Sequence, residues 1–156
     1  MAKEMIIEKS VHVKANTATL YNYLKYTLNQ EKFSTWNMAD PNKSTSSKGT
    51  DGTIGFEYIW DSKIGNVGAG KMKTILLKEN SEVGFEIEFY RPMKNTSKST
   101  FTLQSNADQS SIIYWEFRGP TKFPMSLFAP ILKNMLGKDI QKSLDLLKLN
   151  IEAMKS

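Results

Sequence analysis

Few residues in this chain are equipped for chemistry. There is one histidine, His12, and no cysteine. A zinc site draws on several His, Cys or carboxylate ligands. His12, between Val11 and Val13, therefore reads as an exposed strand residue, and no metal or other cofactor is expected. A Ser–His–acid triad would have to use His12, and no G-x-S-x-G elbow is present. The run GNVGAG has glycines at 65, 68 and 70 but lacks the lysine and Ser/Thr of a phosphate loop. A turn and a strand bend are its expected use.

Acid–base work is left to Glu, Asp, Tyr and Arg, and two residues stand out. Arg91 follows Phe85, Ile87 and Phe89 at alternate positions, so strict alternation turns all four to one face. An inward guanidinium there would fix a carboxylate, an enolate or a phosphate. The competing reading is that Pro92 ends the strand and Arg91 reaches solvent at the rim. Tyr58 shares a face with Phe56 and Trp60 and offers a hydroxyl, although a buried tyrosine usually bonds a backbone carbonyl. Glu57, Glu86, Glu88 and Glu116 have the opposite parity, so no inward carboxylate base is evident. That weighs against catalysis.

The elements that position these residues follow from hydrophobic period. Residues 5–13 read as a strand with Ile7, Val11 and Val13 on one face, interrupted by Lys9. Asn16 or Thr17 caps a helix through residue 29, with Leu20, Leu24 and Leu28 as its stripe, widened by Tyr23. Residues 30–41 read as a second short helix or turn, stopped before Pro41. Residues 42–53 are polar and glycine-bearing, a loop that accommodates a short edge strand around 43–50. From Thr53 to Pro120 the period is near two, giving five strands joined by turn-forming segments, an antiparallel meander.

The end of the chain is helical. Leu136, Ile140, Leu144, Leu147 and Ile151 form one stripe. The helix opens at Pro130, drawing in Leu132 and tolerating Gly137, or starts nearer Leu136. The strand faces carrying aromatics are Phe56, Tyr58 and Trp60; Phe85, Ile87 and Phe89; and Ile113, Trp115 and Phe117, with Met72, Thr74 and Leu76 between. A helix covers a strip about 10 Å wide. A curved sheet is wider, so these side chains either fill the space beneath the helix or line a hollow.

At 156 residues a single domain, 1–156, is expected. The formal charge is +5, carried by nineteen lysines and two arginines without a run of like charge. Groove readers favour arginine, so this is a solvated surface and no nucleic-acid partner is expected. The N-terminus carries acids and no long apolar run, and no stretch approaches the ~18 apolar residues of a span. A cytoplasmic chain without stable membrane insertion, monomeric or homodimeric, is the expectation.

The element order, with the segments VHVKANTATLYNYL, FSTWNMADP, GTDGTIGFEYIW, GNVGAGKMKTI, FYRPM and IIYWEFRG, resembles the START-related SRPBCC superfamily over essentially the whole chain. Its small bacterial members are often labelled polyketide cyclase or dehydrase. The resemblance implies an α+β helix-grip fold: a curved seven-stranded antiparallel sheet around a long C-terminal helix, with two short helices between strands one and two. It also implies an internal apolar pocket but no particular reaction. The expected function is binding, as carrier or sensor, of a lipid or polyketide-like molecule. The lining expected is Phe56, Tyr58, Trp60, Met72, Phe85, Ile87, Phe89, Arg91, Trp115, Phe117, Leu136, Ile140 and Leu144. The alternatives are a polyketide cyclase or dehydratase working through Arg91 and Tyr58, and a protein-interaction module like the heat-shock ATPase activators.

Overall fold

A computed structural model describes residues 3–65, 67–91, 93–121 and 129–154. Strand β1 (Lys3–Val13) leads into α1 (Thr17–Leu24), a 3₁₀ helix (Thr27–Lys32) and α2 (Thr35–Met38). The strands β2 (Ser44–Lys48), β3 (Glu57–Asp61), β4 (Ala69–Lys78), β5 (Glu82–Arg91), β6 (Asn95–Ser105) and β7 (Ser111–Thr121) follow, then α3 (Ala129–Ala153). All strand pairs are antiparallel, in the order β1-β7-β6-β5-β4-β3-β2. The first and second strands thus lie at opposite edges, and the helical connection between them spans the concave face.

Local chemistry sets the breaks. Asn16 caps α1, its side chain accepting from Thr19 N at 2.8 Å. The helix does not run on to residue 29. The chain leaves helical geometry at Tyr26 (φ −87°, ψ 108°) and restarts as the 3₁₀ turn. Its first two amides are satisfied by Asp51, at 2.7 Å to Thr27 N and 3.1 Å to Leu28 N. Leu28 consequently leaves the expected stripe and is exposed. Asp51 belongs to a β2–β3 loop in which Gly52 has φ +87° with the Tyr26 ring lying against it. A side chain at 52 would suffer both backbone strain and collision.

Two bulges shift strand parity. Thr74 pairs with Phe85 but Leu76 with Gly84, leaving Ile75 unpaired. Beyond it Leu77 packs on the core while Leu76 is exposed, reversing the face expected for Leu76. Gly70 pairs with Phe89 but Ala69 with Arg91, leaving Tyr90 unpaired. That second bulge moves Arg91 across the sheet.

Helix α3 is about 37 Å long and carries Pro130 in its first turn, where a missing amide is harmless. Ile140, Leu144, Leu147 and Ile151 are fully enclosed. The helix crosses β1 so closely that a Cβ on Gly137 would lie 3.1 Å from Lys9 Cε. The lysine that interrupts the inner face of β1 therefore runs out past a glycine and keeps its head exposed.

Candidate ligand-binding site

The concave face is aromatic, as the strand periods require, and its centre is filled. Phe33 and Trp36, both from the helical connection, reach down onto β6 and β7. Phe33 stands edge-on to Phe101 (6.2 Å) and Trp115 (6.0 Å), and Trp36 edge-on to Trp115 (6.2 Å) and Phe117 (5.8 Å). Phe101 and Trp115 stack at 4.6 Å, and Trp115 donates to Ser99 Oγ at 2.7 Å. Phe56, Tyr58, Met72, Phe85, Ile87, Trp115 and Phe117 are all buried, together with Ile140 and Leu144 of α3. Part of the expected lining is thus core in this conformation.

The β3–β5 end differs. Trp60 and Phe89 turn inward yet are only partly buried, meeting edge-to-face at 5.9 Å; Tyr58 stacks behind Trp60 at 6.4 Å. Leu136, in the first half of α3, is also only partly buried. Among the described residues α3 packs mainly on β1 and α2, whereas these rings stand on β3 and β5, toward the other edge of the sheet. Gly70 makes the arrangement possible, since a Cβ there would sit 2.6 Å from Trp60 Cη2 and 2.5 Å from the Glu88 carbonyl oxygen.

Arg91 is not on this face. After the Tyr90 bulge it flanks Ala69 on the outer surface, with Asp61 on the other side of Ala69. It donates to Asp61 Oδ1 at 2.6 Å and to the Ser62 carbonyl at 2.9 Å, and its side chain is 52% exposed. The inward parity expected for Arg91 fails because alternation assumes an unbroken ladder.

An inward carboxylate exists but comes from outside the strands. Glu31, on the 3₁₀ helix, accepts a short hydrogen bond from the Tyr58 hydroxyl, one from Asn37 Nδ2 at 3.2 Å, and a salt bridge from Lys43 at 2.8 Å. Lys43 also donates to the Asn37 carbonyl at 2.6 Å, and its side chain is only 6% exposed. Burial pushes the Tyr58 phenol well above its usual pKa, and the adjacent Glu31 charge adds to this. For Glu31, burial works upward, but the bonds from Lys43, Tyr58 and Asn37, with the Lys43 charge, bring it below the ordinary glutamate value. Both Glu31 oxygens are engaged, so the group ties β3 to the 3₁₀ helix and α2 and is held in its ionised form. Strand periodicity had no means of finding Glu31, Lys43 or Asn37. The one available cue was the sequence proximity of Glu31, Asn37 and Lys43 to the aromatic Phe33 and Trp36.

Two polar atoms on the same face lack any partner: Ser97 Oγ and Asn95 Oδ1 of β6 are buried without a hydrogen bond. His12 takes another role. Its Nε2 lies 2.8 Å from Ser110 Oγ, which donates to Asp108 Oδ1 at 2.5 Å and accepts from Asn106 at 3.0 Å. Serine occupies the middle place, whereas a nucleophilic triad puts histidine there; the cluster closes the β6–β7 turn. Among the described residues no three His, Cys, Asp or Glu converge as a metal site, and no helix is long and apolar enough to cross a membrane.

Comparison with known proteins matches no family model. It also finds no curated protein with significant sequence similarity. Solved structures do match. A point mutant of norcoclaurine synthase from Thalictrum flavum, in complex with a transition-state analogue, superposes with a TM-score of 0.73 at 13% identity, covering 100% of this chain and 99% of the other. The same enzyme with dopamine and hydroxybenzaldehyde gives 0.68 at 13%, covering 96% and 88%. A START superfamily protein from Mycobacterium smegmatis gives 0.63 at 14%, covering 96% and 98%. The chain is thus similar along its whole length to START-like proteins, and it has their helix-grip fold. At these identities the likeness concerns the fold.

Proposed function

We propose that this protein binds an uncharged or amphipathic organic molecule between the sheet and α3, at the β3–β5 end of the concave face. The observation that carries the reading is Trp60 and Phe89, inward-facing aromatics that remain only partly buried while the centre of the concave face is closed. An apolar lining with a few polar anchors is the usual make-up of such sites. Helix-grip neighbours that hold small aromatic compounds, such as the synthase bound to dopamine and hydroxybenzaldehyde, support it by analogy of fold. Lipid-like and polyketide-like guests both meet this description.

Catalysis on such a guest is the second reading, favoured by the buried Tyr58–Glu31–Lys43 cluster. It ranks lower because the carboxylate already accepts from three donors and its pKa is lowered, the opposite of what a general base working near neutral pH needs. The test is fluorescence of the neutral dye N-phenylnaphthylamine, which brightens in apolar surroundings. The unmodified chain is expected to enhance it, and Ile87→Trp, which adds bulk on the inner face two residues from Phe89, to abolish the enhancement while circular dichroism stays native. Undiminished dye binding in a folded Ile87→Trp variant would put the site elsewhere.

A further inference from the structure

We infer that Asn95 and Ser97 on β6 are the hydrogen-bonding anchor of the bound molecule, and that this molecule presents a neutral hydroxyl, alcoholic or phenolic, rather than a carboxylate. The inference rests on the pocket reading above and assigns the guest its polar group. Asn95 and Ser97 are two residues apart on one strand and share the inner face. Asn95 pairs across the sheet with Phe89, and Ser97 with Ile87, so both sit beside the partly open aromatic end.

Neither Asn95 Oδ1 nor Ser97 Oγ has a hydrogen-bond partner, and Ser97 is only 2% exposed. Other inner polar groups are matched. Ser99 takes the Trp115 indole, Thr27 meets Thr74, Ser143 takes the Thr35 amide, and Tyr58 meets Glu31. A buried polar atom left unpaired destabilises the fold, and an apolar residue would have been better here for stability alone. On β7, a Cβ at Gly119 would fall 2.2 Å from Ser97 Oγ, so the glycine leaves the space that the hydroxyl occupies.

One guest hydroxyl satisfies both atoms, donating to Asn95 Oδ1 while accepting from Ser97 Oγ–H. A carboxylate has no donor for Asn95 Oδ1, and the cations of the neighbouring strands are turned outward or already paired, while Lys94, next to Asn95, is exposed. Lys98 and Arg118 alternate to the outer face, where Arg118 pairs with Glu116 and Glu4. Arg91 is held by Asp61, and Lys43 by Glu31. Burying an unpaired carboxylate is strongly unfavourable. Both orphan atoms are sealed from solvent, so binding requires a neighbour to move; Phe89, partly buried on the same face, is less enclosed than Ile87 or Phe117.

The experiment is a matched titration with naphthalene, naphthol and naphthoate, read by displacement of N-phenylnaphthylamine, on the unmodified chain, Ser97→Ala and Asn95→Leu. Naphthol is expected to bind the unmodified chain more tightly than naphthalene or naphthoate. Each substitution is expected to weaken naphthol about three- to tenfold and leave naphthalene unchanged. Thermal melting supplies the second readout. Removing an unsatisfied buried group should keep Tm or raise it by about 1–3 °C, whereas a structural role would lower it. Equal loss for naphthol and naphthalene, unchanged naphthol affinity, or tighter binding of naphthoate overturns the anchor. Failure of the unmodified chain to bind the dye and naphthalene overturns the pocket reading instead, and the anchor with it.

Discussion

Single side chains change meaning here according to what stands beside them. Tyr58 is a pocket hydroxyl by sequence and a structural strut by geometry, because Glu31 and Lys43 complete a three-part link. Glu31→Gln leaves the nearly enclosed Lys43 without its counter-ion. With Glu31 about one-third exposed, a loss of ~2 kcal/mol is expected, below the figure for a fully buried pair. It also removes the charge that opposes Tyr58 ionisation, so phenolate absorbance in an alkaline titration should show Tyr58 ionising earlier in the variant. The signs of the pH dependence follow. Tyr58 has a raised folded pKa, so its contribution is complete below the unfolded tyrosine value of 10.0 and fades as pH climbs beyond it. Glu31 has a lowered folded pKa, so its contribution is complete above the unfolded value of 4.5 and fades as pH falls through the folded one. Stability to denaturant that is flat on both sides of this window would show the cluster to be energetically idle.

Elements set which face a residue meets. The bulges at Ile75 and Tyr90 each insert one residue, turning Leu77 inward and carrying Arg91 to Asp61. Helix α2 is only four residues long, yet it is fixed on both sides. The Thr35 amide meets Ser143 Oγ at 2.9 Å and the Trp36 indole meets Asp139 at 3.3 Å on α3, while Asn37 joins Glu31 and Lys43. Trp36 is thereby pinned over Trp115 and Phe117 and helps fill the middle of the concavity. At the open end the decisive position is Gly70. Gly70→Ala collides with the Glu88 backbone as well as the Trp60 ring, so it is expected to cost about 1–3 kcal/mol and to shift tryptophan emission as the Trp60 ring is displaced. An unchanged melting temperature with unchanged emission would mean the strands separate there without strain.

The whole molecule is unevenly secured. Strand β7 is paired on both sides and supplies Ile113 and Trp115 to the core. Strand β2 pairs only with β3, and all five of its residues are exposed. Local opening follows such differences, so hydrogen exchange should be slowest at β7 and fastest among the strands at β2, with β3 intermediate. Protection of β2 equal to that of β7 would contradict this order. A binding face at the less secured end is consistent with the need to admit a guest, since loosely held segments open at the lowest free energy.

The sequence by itself determined the α+β class, six antiparallel strands with room for a short edge strand around 43–50, the short helices after β1 and the stripe of α3. Period and turn chemistry are local, and each strand of a meander meets the next. It also determined that Phe85, Trp115 and Phe117 turn inward, because their strands carry clean alternation there. Only the tertiary structure decided the rest. Alternation gives no warning of an inserted residue, so strict parity fails for Leu76 and for Arg91, which takes the competing solvent position at the rim. The Glu31–Lys43–Tyr58 link joins the 3₁₀ helix, the loop before β2, and strand β3, and the seating of Phe33 and Trp36 on Trp115 joins segments far apart in the chain. The unmatched oxygens of Asn95 and Ser97 likewise become visible only when every neighbouring donor and acceptor is in place, because satisfaction is a property of the packed assembly and not of a residue.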